Sequence, residues 1–128
     1  MRSAFTLEVH TPISATPKFL RQWHYQIRSF DNHAGSIGKN AVFHAWISRD
    51  TPKRDLRCEY PWLDSPRVVL HWLDEDFFRH YGYYGTGIAR GACTFRSDWV
   101  IFSDADVIVS GELDSLISDL ARREAVGG

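Results

Sequence analysis

The chain has 128 residues, 44% hydrophobic and 24% charged. That is one domain of ordinary globular composition, and it excludes a disordered or fibrous protein. A formal net charge of -1 gives no ground for binding nucleic acid, and no apolar run approaches the roughly 20 residues that a membrane helix needs.

Residues 5–9 alternate Phe5, Leu7 and Val9 with Thr6 and Glu8, which predicts a short strand ending at His10-Thr11-Pro12. Thr16-Pro17 predicts a helix start, with Thr16 as N-cap and Pro17 at the first helical position. Phe19, Leu20, Trp23, Ile27 and Phe30 continue at helical spacing, giving a helix over 17–30. Residues 31–40, with two glycines, read as a loop. The dense apolar run 41–47 reads as a buried strand, and 48–57, polar and basic, as a loop or short helix. A third strand over 68–73 closes on Asp74-Glu75-Asp76. Over 77–96 a helical repeat of aromatic and aliphatic residues is broken by Gly82, Gly85, Gly87 and Gly91. Each glycine costs a helix interior about 1 kcal/mol against Ala. The expectation is a glycine loop over 82–85 and a helix over 87–96, capped by Thr86. A fourth strand over 99–103 runs into Asp104-Ala105-Asp106. A last helix over 112–123 has Leu113, Leu116, Ile117 and Leu120 on one face and Glu112 and Asp114 in its first turn, where acids complement the helix dipole.

Apolar strands alternating with helices predict an α/β fold, a three-layer sandwich with a mainly parallel sheet. Such sheets bind ligands outside the carboxyl ends of their strands. That rule singles out His10-Thr11-Pro12, Ser48-Arg49-Asp50, Asp74-Glu75-Asp76 and residues 103–106. Residues 1–58 carry a balance of +5 and residues 59–128 one of -6, which reads first as two solvated faces. His10 reads as a structural histidine with its hydrogen bonds satisfied. Residues 1–11 lack an apolar signal-peptide stretch, and Cys58 and Cys93 fall in no metal or redox spacing. The expectation is a reduced, cytoplasmic chain.

Eleven aspartates make a bare Asp-x-Asp weak as a signal, and the chain has two. Asp74-Glu75-Asp76 leads into Phe77-Phe78 and suits a helix start. Asp104-Ala105-Asp106 is enclosed by Trp-Val-Ile-Phe-Ser and Val-Ile-Val. Two carboxylates buried in an apolar run are costly unless compensated, and a bound Mg²⁺ or Mn²⁺ compensates.

Residues 99–117, Trp-Val-Ile-Phe-Ser-Asp-Ala-Asp-Val-Ile-Val-Ser-Gly-Glu-Leu-Asp-Ser-Leu-Ile, resemble the Asp-x-Asp region of nucleotide-sugar glycosyltransferases with the GT-A fold. They look most like the glycogenin-like and lipopolysaccharide galactosyl- and glucosyltransferases. Tyr84-Gly85-Thr86-Gly87-Ile88-Ala89-Arg90 is similar to that family's segment whose arginine lies near the nucleotide diphosphate. The resemblance implies transfer of a sugar from a nucleotide-diphosphate donor to a glycan, lipid or protein acceptor. It implies that Asp104 and Asp106, with Ala105 between them, hold Mn²⁺ or Mg²⁺ on the diphosphate. It gives Arg90 a second cation's role there, and gives Thr11 and Pro12 contact with the nucleoside. The chain ends 22 residues after Asp106, whereas the family continues. Residues 1–128 are thus expected to be the donor-binding part, with the acceptor half absent and the isolated chain binding donor without turnover. A rival reading is a haloacid-dehalogenase-like phosphatase, with Asp104 as nucleophile and Asp106 as acid/base.

Overall fold

The computed structural model describes residues 6–47, 52–73 and 95–127. Strand β1 spans Leu7–Ile13 and is followed by helix α1, Pro17–His33, and a short helix α2, Ser36–Lys39. Strand β2, Val42–Ile47, precedes the short helix α3, Leu56–Glu59, and a 3-10 turn, Pro61–Leu63. Strand β3, Val68–Trp72, strand β4, Trp99–Phe102, and helix α4, Asp114–Gly127, complete the described elements. All four predicted strands form. They make one four-stranded sheet in the order β3-β2-β1-β4, every pair parallel. The fold is α/β of the Rossmann-like kind.

Pairing fixes which side chains share a face. His10 stands opposite His44 and Phe102, and Trp46 opposite His71. Leu7, Val9 and Phe43 point the other way and are fully buried under α1. There Phe30 meets Phe43 edge-on, and Leu20, Trp23 and Ile27 complete the apolar stripe of the helix. Ile117 of α4 and Ala105 join the same core.

The differences from the sequence reading have local causes. β1 runs through His10-Thr11-Pro12 to Ile13 rather than stopping there. The His10 carbonyl accepts from Ser103 N–H (3.0 Å) on the β4 side. By alternation Pro12, which lacks an N–H, also faces that side, beyond the last rung at Phe102. Thr16 occupies the N-cap of α1 in extended backbone, but its side chain makes no cap bond. The segment expected to be a loop after residue 30 instead prolongs α1 to His33 and forms α2. Gly35 joins the two with φ +86°, and a Cβ there would lie 2.5 Å from Asp114 Oδ2. Asp114 explains α2. Its carboxylate accepts from Ser36 N–H (3.0 Å), Ser36 Oγ (3.0 Å) and Ile37 N–H (3.1 Å), capping the short helix from a distant part of the chain. The expected glycine loop and Thr86 cap, and the helix over 87–96 apart from Phe95 and Arg96, lie outside the described residues. So do Ser48-Arg49-Asp50, Asp74-Glu75-Asp76 and Cys93.

Candidate functional site

The connections run β1 to β2 to β3 on one side, then cross to β4 on the other side of β1. The strand order therefore reverses between β1 and β4, where parallel sheets open a crevice at their carboxyl edge. An open cleft of 370 Å³ lies there, lined by Pro12, Ile13, Ser14, Lys18, Phe19, Gln22, Asp104, Ala105 and Asp106. Pro12 shapes it, since without an N–H it offers β4 no further rung and the chain leaves β1 at Ser103. A turn follows, closed by Val107 N–H to the Asp104 carbonyl (3.2 Å).

One buried side chain ties this turn to the body of the protein. Gln26, on the core face of α1, is 0% exposed. Its Nε2 lies 2.7 Å from the Asp104 carbonyl, 3.0 Å from the Val107 carbonyl and 3.1 Å from Ser103 Oγ. Two of these partners are carbonyls that only accept, so the amide must present its NH₂ to them and its oxygen away. That oxygen accepts from Thr11 Oγ1 (3.2 Å). Ser29, one turn on, accepts from Val109 N–H (2.9 Å) and donates to the Gln26 carbonyl (2.6 Å).

Of the residues singled out from sequence, the cleft gathers Pro12, Asp104, Ala105 and Asp106. Thr11 does not reach it, because its fully buried hydroxyl is spent on Gln26. Arg90 lies outside the described residues. The premise that the Asp104–Asp106 carboxylates are buried in an apolar run fails. Both face solvent, and the following Val107 and Ile108 are 49% and 59% exposed. The pair needs no compensating ion to exist. Its chemistry still fits a hard divalent cation, since solvated carboxylates one residue apart can share an ion that keeps several waters. Lys18, Gln22 and Gln26 were not picked out from sequence. Gln26 left a trace: a polar residue on the same helical face as Trp23, Ile27 and Phe30.

The other face of the sheet carries a second constellation. Glu8, His10 and His44 bring a carboxylate oxygen and two ring nitrogens within 4.8 Å of one another. Glu8 is 5% exposed and His10 0%. The hydrogen bonds assign the protons. Trp46 Nε1 donates to His10 Nδ1 (2.9 Å), and an indole N–H can only donate. His10 therefore carries its proton on Nε2, which faces Glu8 Oε1 at 3.3 Å. His44 Nε2 lies 3.3 Å from the same oxygen, and His44 Nδ1 is 2.9 Å from His71 Nε2. Both His44 and His71 are then Nε2–H tautomers. Glu8 Oε2 accepts from the backbone N–H groups of Arg96 (2.8 Å) and Ser97 (2.7 Å).

The charges agree with this pattern. Burial pushes the Glu8 carboxyl up, but the N–H groups of Ser97 and Arg96 and the His10 ring outweigh it and hold it below its ordinary value. Burial lowers His10, with Glu8 opposing. Burial, then His10, lowers His44 to about 4. Burial, then His44, lowers His71 to about 4. The cluster is one carboxylate among neutral rings. From sequence only His10 stood out, as structural, and its satisfied bonds agree with that.

No protein-family model matches the chain, and no curated protein does. No helix among the described residues is long and apolar enough to cross a membrane.

Proposed function

We propose that the cleft between β1 and β4 binds a nucleoside diphosphate-sugar, and that the chain is the donor-binding part of a cytoplasmic glycosyltransferase of the GT-A kind. The observation that carries this is the meeting of Asp104 and Asp106 with Pro12 and Lys18 in one cleft at the strand-order reversal. Asp104 and Asp106 would hold Mn²⁺ or Mg²⁺, which when bound neutralises charge on the diphosphate. Lys18 stands in the first turn of α1, where its ammonium and the helix N-terminus both favour phosphate. Pro12 and Ile13 give the nucleoside an apolar wall. Gln26 holds the Asp104 carbonyl, so the carboxylates project from a fixed turn. Arg90 adds the second cation implied by the family resemblance. The resemblance implies a glycan, lipid or protein as acceptor, and donor binding is the behaviour the cleft supports.

Calorimetric titration of nucleoside diphosphates, with and without Mn²⁺, tests the reading. Binding should require Mn²⁺. Asp106→Asn should weaken it roughly tenfold or more, and Lys18→Met about tenfold, while Asp76→Asn in the other Asp-x-Asp leaves it unchanged. Equal losses from Asp76→Asn and Asp106→Asn, or binding indifferent to Mn²⁺, overturn the proposal. Beryllium fluoride trapped on Asp104 would replace it with the phosphatase reading.

A further inference from the structure

We infer that Glu8, His10 and His44 form a second metal site, for a divalent ion of the zinc type, independent of the carboxylate pair in the cleft. Two imidazoles and a carboxylate are a recurrent donor set for Zn²⁺, Co²⁺ and related ions, whereas an all-oxygen pair suits Mg²⁺ or Mn²⁺. The two constellations thus sort metals by donor chemistry.

The backbone delivers this set without strain. Glu8 and His10 are two residues apart on β1, so they project from one face, and His44 is directly opposite His10 on β2. Around a tetrahedral ion with ligands about 2.0–2.1 Å away, neighbouring donors stand about 3.3–3.4 Å apart. Glu8 Oε1 stands 3.3 Å from His10 Nε2 and 3.3 Å from His44 Nε2.

Outer partners stand beside two of the three ligands. Arg96 and Ser97 N–H groups hold Glu8 Oε2, which leaves Oε1 to face the rings. His71 sits on His44 Nδ1, where a metal-bound imidazole places its remaining proton, and it accepts that proton once its own moves from Nε2 to Nδ1, a shift that an imidazole can make and an indole cannot. The His44 side chain is 15% exposed, which gives an ion a way in.

The third ligand makes the proposal specific. When a metal takes His10 Nε2, the proton there shifts to Nδ1, and no proton is released. Nδ1–H then faces Trp46 Nε1–H, donor against donor, so the Trp46 bond must open. The His10 and His44 rings, stacked at 4.3 Å and 13°, must also turn to point both Nε2 lone pairs at one ion. One neutral hydrogen bond and a ring stack are small beside three metal–ligand bonds.

The test uses the untagged, chelator-stripped full chain and Co²⁺ alone, read by visible absorption and by tryptophan fluorescence. One equivalent should bind with the bands of a tetrahedral nitrogen–oxygen site and a change in tryptophan emission. Glu8→Gln and His44→Gln should each weaken it roughly tenfold or more. Trp46→Phe keeps a ring against His71 and removes the opposing donor, so it should bind about fivefold more tightly. Asp104→Asn/Asp106→Asn should bind Co²⁺ as the unmodified chain does, which separates this site from the nucleotide cleft. If the unmodified chain binds no Co²⁺, if Trp46→Phe binds more weakly, or if Asp104→Asn/Asp106→Asn alone abolishes binding, the cluster is a hydrogen-bonded network and not a metal site. Should His44→Gln not fold, the unmodified chain and Trp46→Phe still decide.

Discussion

Gln26 is one side chain in reach of four groups at once: its oxygen accepts from the Thr11 hydroxyl, and its two N–H bonds are shared among Ser103 Oγ and the Asp104 and Val107 carbonyls. Gln26→Met keeps the volume and takes the side-chain partner from the Thr11 hydroxyl and the Val107 carbonyl, at about 1–3 kcal/mol for a buried polar group. A fall in the urea midpoint, with Mn²⁺-dependent nucleotide binding weakened in the folded fraction, checks it. Gln26→Glu should be worse, because a carboxylate would face two carbonyls. On the far face, His44 and His71 have folded pKa values of about 4 against 6.5 when free. The unfolded chain therefore binds more protons between pH 6.5 and 4, and stability rises with pH across that window. It is fully present above 6.5 and lost as pH falls towards 4. For either ring alone this amounts to on the order of 3 kcal/mol. Urea midpoints from pH 7 to 4 with chelator present should fall, and His44→Phe/His71→Phe should flatten the curve. Neither Gln26 nor the cluster was legible as a site. The three histidines stand far apart in sequence, and only the strand order β3-β2-β1 lines His71, His44 and His10 up. Asp104 and Asp106 were legible as a pair, but their exposure was not, because Val-Ile-Val after them reads as buried and is half in solvent.

The elements that could be read are those whose signal is local. One alternating segment and three apolar runs became four strands, and the stripe from Leu20 to Phe30 became the core face of α1. The elements that were misread depend on distant residues. Helix α2 has four residues and two glycines beside or within it, and local propensity gives it no reason to form. It forms because Asp114, 78 residues away, satisfies its first N–H groups. Those N–H groups outweigh burial and hold the Asp114 carboxyl below its ordinary value. Asp114→Ala should therefore cost about 1–2 kcal/mol. Gly35→Ala should cost about as much or more, since it meets a positive φ and displaces the same carboxylate. Thermal melts of the two and of the double variant check this. The double should lose less than the sum, because both act through one cap. The end of β1 was misjudged for a similar reason. Whether Pro12 stops a strand depends on which neighbour its missing N–H faces: β2 still pairs with Pro12 and Ile13, and only the β4 ladder ends there.

For the whole molecule, sequence order and spatial order disagree at one place. β1, first in the chain, is central in the sheet, and its partner β4 comes last of the strands. The two are also joined by Thr6, whose backbone N–H and hydroxyl reach Asp98 Oδ2, 92 residues on. A chain cut to residues 1–97 should lose β4, Ile117 and every partner of Gln26 beyond Thr11. Size-exclusion chromatography should find it associated, and urea should unfold it without a cooperative transition. That layout also has a meaning in time. During synthesis β2 and β3 can pair as they emerge, while the outer edge of Leu7–His10 waits for β4. At usual rates of translation, the 30 residues from Trp72 to Phe102 take roughly 2–6 s to appear. For that interval one of the two inner strands of the finished sheet is a bare edge, open to pairing with another nascent copy. Slowing translation between Trp72 and Phe102 should then lower the soluble yield although the completed fold is unchanged.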